Sequence, residues 1–157
     1  MSRRAQITMS DEEVLAFLEE ERTVICATNG VRQWPHLMPL WYVLRPTRED
    51  GARQLWAWTF AKSQKVRNIE RDPRATLQVE AGEAYAELRG VMLECDVLVH
   101  RDVEVVRALG LEIYQRYAGL DEETRAMIDR QAPKRIALQF AERRRATWDH
   151  RKLGGVF

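Results

Sequence analysis

The stretch Thr59-Phe60-Ala-Lys62-Ser63-Gln-Lys65-Val-Arg67-Asn68 gathers the side chains best suited to holding an anion. It falls between an aromatic strand and the first turn of a helix. A helix start presents unpaired backbone N–H groups and a partial positive charge. The Ser63 hydroxyl and the ammonium groups of Lys62 and Lys65 add donors, and together these make a phosphate cradle. Cations at a helix N-terminus are unfavourable unless an anion offsets them, so the two lysines point to a bound phosphate more than to a solvated turn.

A second informative stretch is Pro35-His-Leu-Met-Pro39-Leu40-Trp41-Tyr42. Proline cannot donate to a strand ladder, so Pro39 marks an edge, a bulge or an opening. Backbone groups freed there can meet a flat heterocycle, although an ordinary edge-strand proline fits the pattern as well. Trp41, Trp56 and Trp58 read either as core or as the walls of a site.

Other chemistries find no motif. His36, His100 and His150 are far apart, and none stands at i, i+4 from another ligand type. No GxSxG, HExxH, CxxC or P-loop occurs. Carboxylates are scattered, so no acid–base pair and no catalytic residue can be named, and no metal is expected. Cys26 and Cys95 lie in apolar runs without ligand spacing and read as reduced core thiols.

The elements that position these residues follow from periodicity. Ser10 and Glu13 form a capping box ahead of the helical stripe Val14, Phe17 and Leu18. Strands are predicted at Thr23–Thr28, His36–Leu44 and Leu55–Phe60, with turns at Asn29-Gly30 and Asp50-Gly51. In the third strand Trp56, Trp58 and Phe60 share one face, while Leu55, Ala57 and Thr59 share the other. Ser63 can cap a short helix to Asp72, which Pro73 stops. Strands at Ala75–Glu80 and Ala86–Val99 follow, and Gly90 suggests a bulge or bend in the second. A helix over Asp102–Ala118, a short helix capped by Asp121 and a strand through Ile136, Leu138 and Phe140 complete the order. The expected fold is mainly β with helices: a six-stranded antiparallel barrel with short flanking helices, closed to remove exposed edges.

The bulk numbers narrow the function. A chain of 157 residues is expected to form a single domain over residues 1–157. With 25 Lys and Arg against 24 Asp and Glu, the net charge of +1 argues against a nucleic-acid or membrane-surface partner. No signal-peptide pattern opens the chain, and no apolar run approaches the roughly 20 residues that span a bilayer, so a cytoplasmic location is expected.

Taken together, these residues resemble the FMN-binding split-barrel superfamily, the group related to pyridoxamine 5′-phosphate oxidase. The resemblance covers most of the chain. Trp34-Pro-His-Leu-Met-Pro-Leu-Trp-Tyr42 is similar to the family's RPHxxPxWY strand. Ala61-Lys-Ser-Gln-Lys-Val-Arg-Asn-Ile-Glu-Arg-Asp-Pro-Arg-Ala75 is similar to its phosphate turn followed by RN-x-x-RDPRA, the most specific block here. Glu87-Leu-Arg-Gly-Val91 resembles the next strand. Trp148-Asp-His-Arg-Lys152 looks like a tail of an actinobacterial-type branch whose members often use the deazaflavin coenzyme F420.

The resemblance implies a six-stranded split β-barrel. It implies that Ser63 and Lys65 hold a cofactor phosphate with Lys62 and Asn68 nearby. The backbone around Pro39, Leu40 and Trp41 would face the isoalloxazine edge, and Thr59 and Phe60 would line its floor. The implied activity is hydride transfer between F420, or alternatively FMN, and a small organic substrate. A non-catalytic carrier of flavin, deazaflavin or haem is the alternative. The arginine-rich C-terminal substrate motif of the true oxidases is missing, so oxidation of pyridoxamine phosphate is not expected. Family members are usually homodimers with the cofactors in the interface. Leu153, Val156 and Phe157 make the tail apolar around Gly154-Gly155, so the tail is expected to help form that interface.

Overall fold

In the computed structural model, which describes residues 2–155, every strand pairing is antiparallel. The strands are β1 (Val24–Asn29), β2 (Pro35–Leu40), β3 (Val43–Pro46), β4 (Arg53–Phe60), β5 (Arg74–Ala81), β6 (Arg89–His100) and β7 (Arg135–Asp149). Their order in the sheet is β2-β1-β5-β6-β7-β4-β3. The helices are α1 (Arg3–Ile7), α2 (Asp11–Glu20), α3 (Gln64–Arg71), α4 (Val103–Tyr117) and α5 (Glu122–Gln131). Among the described residues no helix is long and apolar enough to cross a membrane.

The strands number seven, not the expected six, because His36–Leu44 breaks at Trp41–Tyr42. The Tyr42 backbone leaves the ladder for α4: its N–H donates to the Tyr117 hydroxyl at 3.0 Å, and its carbonyl accepts from Arg116 Nη1 at 2.5 Å. Its side chain is fully buried, with the hydroxyl donating to Leu18 O at 2.6 Å and Glu21 O at 3.0 Å. Burying such a ring is worth ~1.5–3 kcal/mol, enough to fix the corner. β2 and β3 are opposite edges of the sheet, yet Trp41 and Tyr42 alone join them. Two residues reach only about 7 Å, so the sheet must curl until its edges nearly meet. The expected closed ring is thus a barrel split between β2 and β3. The backbone hydrogen bonds of Tyr42 at this corner go to α4 rather than across the gap.

Two cores form on the two faces of the sheet. Inside lie Val24, Cys26, Leu55, Ala57, Leu77, Val91, Leu138 and Phe140, with Phe17 of α2 and Val66 of α3. Outside, Trp58 and Ala137 pack under Val106, Leu109 and Ile113 of α4 and Ile128 of α5. The period-2 alternation of β4 therefore sends Leu55 and Ala57 to one core and Trp58 to the other. Burial pushes the thiols of Cys26 and Cys95 up to about 12, so both remain protonated.

Helix termini follow the sequence closely. The Ser10–Glu13 capping box is present, and Asp102 and Asp121 accept N–H groups at the starts of α4 and α5. Arg116 of α4 reaches Leu18 O, Glu19 O and Glu21 O, supplying positive charge where α2 ends without a basic residue of its own.

Two expectations on β6 and β7 need correction. Gly90 is not a bulge; the register shift lies at Glu94/Cys95. Gly90 faces Trp148, and a Cβ there would fall 2.2 Å from the indole. The strand expected through Ile136, Leu138 and Phe140 also runs on to Asp149, taking in Trp148 and Asp149 of the presumed tail. Beyond it the chain docks on its own barrel, with Lys152 Nζ donating to Thr8 O and Glu13 Oε2, and the His150 N–H to Leu88 O. Val156 and Phe157, offered for an interface, lie outside the described residues.

Candidate functional site

β4 ends at Phe60, and a tight turn leads straight into α3. The Ser63 N–H donates to Phe60 O and the Ala61 N–H to Lys134 O, both at 3.0 Å. Ser63 takes the N-cap position, but its side chain caps nothing, contrary to expectation. In each of the other four helices the N-cap side chain accepts a backbone N–H. Ser63 Oγ is instead buried with no hydrogen-bond partner. The first turn of α3 carries no acidic residue, so its positive end is uncompensated.

Lys65 is the second residue of this helix and is 6% exposed. Its ammonium donates to Thr59 Oγ1 at 2.9 Å, and among the described residues no carboxylate pairs with it. Burial, and then the charge of Arg135, hold its pKa below the ordinary lysine value. A buried cation, an orphan hydroxyl and an open helix end fit a phosphate on all three counts.

Beside this turn a cleft of about 370 Å³ is lined by Thr23, Pro39, Leu40, Trp41, Trp58, Thr59, Tyr114 and Arg135. The break at the barrel corner places Trp41 there. Its indole lies flat on Tyr117, with centroids 4.6 Å and planes 13° apart, and meets Tyr114 edge-on. Trp58 and Tyr114 also meet edge-on, so α4 holds both indoles in place.

The structure thus brings Pro39, Leu40, Trp41 and Thr59 to one cleft, with Lys65 bonded to Thr59. Phe60 is exposed beside it, its ring 3.9 Å from the Arg135 guanidinium carbon. Lys62 is exposed on the turn. Asn68 is fully buried instead: its amide donates to Thr28 Oγ1 and accepts from Gln64, tying α3 to β1. Sequence reasoning missed Thr23, Tyr114 and Arg135 and left Trp58 ambiguous. Tyr114 carried no signal beyond the helical pattern of α4, and Arg135 none beyond standing before an alternating strand.

A larger groove, of about 560 Å³, runs between α2 and the β3–β4 loop. Two of its three arginines are less inviting to an anion, because Arg145 is held by Asp11 and Glu142, and Arg143 by Asp96. Among the described residues no cluster of His, Cys, Asp and Glu could hold a metal ion.

A family model described as pyridoxamine 5′-phosphate oxidase matches residues 10–148, and the chain belongs to this family. Among solved structures it is similar to the conserved hypothetical protein Rv2991 from Mycobacterium tuberculosis. The identity is 37% and the TM-score 0.85, covering 100% of this chain and 95% of that one. An F420 reductase superposes with a TM-score of 0.64 at 20% identity, over 83% of this chain and 94% of that one. The haem storage protein HutZ from Vibrio cholerae does so with a TM-score of 0.64 at 14% identity, over 88% and 92%. These last two likenesses carry the fold alone. No curated protein matches the sequence.

Proposed function

We propose that this member of the pyridoxamine 5′-phosphate oxidase family is an oxidoreductase that holds a phosphorylated flavin-type cofactor between β2 and the β4–α3 turn. The observation that carries the reading is the buried, unpartnered Ser63 hydroxyl beside buried Lys65, at the uncapped start of α3. Ser63, Lys65 and the first N–H groups of α3 hold the phosphate. The edge of β2 at Pro39–Trp41 faces the ring system, and Trp41, Trp58 and Tyr114 exclude water from it. The cofactor, when bound, supplies a ring that gives or accepts a hydride, while the protein supplies orientation and electrostatics. This division of labour accounts for a cleft without a histidine or a carboxylate in its lining.

F420 is preferred to FMN. β2 offers Leu37, Met38 and Leu40 where a phosphate-binding arginine would stand, and a fold relative is named as an F420 reductase. A second copy of the chain is the expected partner, covering Leu37, Met38, Trp41 and Phe60, which one copy leaves exposed. Titrating the purified full chain with F420 and with FMN, followed by absorbance, tests the reading. Saturable binding, tighter for F420, is expected, together with turnover of a hydride acceptor. Binding of neither ends it, and binding of haem or flavin without turnover makes the protein a carrier.

A further inference from the structure

Arg135 opens β7 directly opposite Phe60 of β4 and lines the same cleft. Its guanidinium carbon sits 3.9 Å from the Phe60 ring centroid and 4.4 Å from that of Trp58. Its hydrogen bond to Gln131 Oε1 is long, at 3.4 Å. Among the described residues no carboxylate pairs with it, whereas Arg45, Arg89 and Arg145 are each held by a glutamate. Lys65 lies close enough for the two positive charges to repel. Burial also pulls the pKa of Arg135 down. Half-buried Arg135 in the cleft lining and buried Lys65, bonded to Thr59 of that lining, have no acid paired to either among the described residues, which raises the energy of the empty protein and favours a complex with an anion.

The cleft also restricts the shape of that anion. Trp41 and Trp58 are flat, and Tyr114 meets both edge-on, so a planar ligand fits better than a branched one. Two rings lie against the guanidinium carbon and Nε is turned to Gln131, which leaves the two Nη groups for a bidentate acceptor, the geometry of a carboxylate.

We propose that Arg135 receives the carboxylate of a planar ligand lying in the cleft beside Trp41 and Trp58. This deepens the reading of the cleft as a cofactor site and rests on it. The carboxylate has two possible sources, a small aromatic acid as substrate or the acidic side chain of the cofactor.

Benzoate and its neutral isostere benzamide distinguish charge from shape. Each is titrated into the full chain by ligand-observed NMR, without cofactor and again with F420 at saturation. Benzoate is expected to bind at least about tenfold more tightly than benzamide. Arg135→Gln removes that preference, and Arg135→Lys keeps part of it, because charge survives while the fork is lost. Thermal melting confirms that each variant folds, and the wild-type comparison needs no variant at all. A parallel titration uses F420 with and without its glutamyl tail. Loss of affinity in Arg135→Gln for the tailed form alone assigns the carboxylate to the cofactor. Loss for benzoate alone assigns it to the substrate. Equal binding of benzoate and benzamide by the wild type, or an unchanged preference in Arg135→Gln, overturns the proposal. If neither F420 nor FMN binds, the cofactor reading fails while the benzoate comparison still reports on Arg135.

Discussion

A Cβ on Gly110 would lie 2.6 Å from Cζ3 of Trp58, so the back of the cleft wall is set by an absent methyl group on α4. Ile128 Cγ2 would stand 3.1 Å from the same Cβ, which tightens the site further. Gly110→Ala gains helix propensity of about 1 kcal/mol but overpacks the outer core by about 1–3 kcal/mol. The expected outcome is a lower thermal midpoint and weaker cofactor binding as Trp58 moves toward the cleft. An unchanged midpoint with unchanged affinity counts against Gly110 as the spacer.

Lys65→Ala is expected to weaken cofactor binding by roughly 1.5–3 kcal/mol, the scale of one charge-assisted hydrogen bond. A titration with equal affinity for both proteins would remove Lys65 from the phosphate site.

The same lysine predicts a pH dependence. Its folded pKa is lowered, mainly by burial, below the ordinary value of about 10.4. Between the two values the unfolded chain binds the extra proton, so this group adds stability to the free protein as pH rises through that window. Bound phosphate favours the ammonium, so phosphate affinity falls over the same window. Urea midpoints measured stepwise at alkaline pH are expected to rise more steeply in the wild type than in Lys65→Met. Parallel slopes would show that Lys65 is not perturbed.

Ser63→Ala separates stability from binding. Removing a buried hydroxyl that has no partner is neutral or stabilising to the free protein, by up to about 1 kcal/mol. The same change deletes a phosphate ligand and weakens the cofactor by about 1 kcal/mol. Opposite signs in a thermal melt and a titration are expected. A loss in both would assign Ser63 a structural role.

Dimerisation is expected to be linked to the cofactor, since each copy would complete the other's pocket. Met38→Arg places a charge on the exposed apolar strand β2. Sedimentation should show a dimer for the wild type and a shift toward monomer for the variant, with weaker cofactor binding. A wild-type monomer that binds at full strength contradicts this.

Local signals were legible in the sequence, and non-local ones were not. The capping box at Ser10 and the alternation of β4 are decided by neighbours a few residues away, and both stand in the structure. The break at Tyr42 is decided by Arg116 and Tyr117, far along the chain, so His36–Leu44 read as one strand. The exposed run Arg143–Arg145 masked the continuation of β7, although its backbone pairs with β6. In the site, the cluster around Ser63 was legible because Lys62 and Lys65 conflict with a helix start. Arg135 was not legible, because lacking an acidic partner is a property of the folded surroundings and not of local sequence.

The burial of Cys26 and Cys95 makes these thiols native reporters of how the barrel breathes. A thiol held protonated alkylates only when its strand opens, so pulsed labelling counts openings. Cys26 sits on β1, next to the free edge β2, whereas Cys95 sits on β6, between β5 and β7. Faster labelling at Cys26 would place the first rupture at the split between β2 and β3. Equal rates would make the barrel a single cooperative unit that opens all at once.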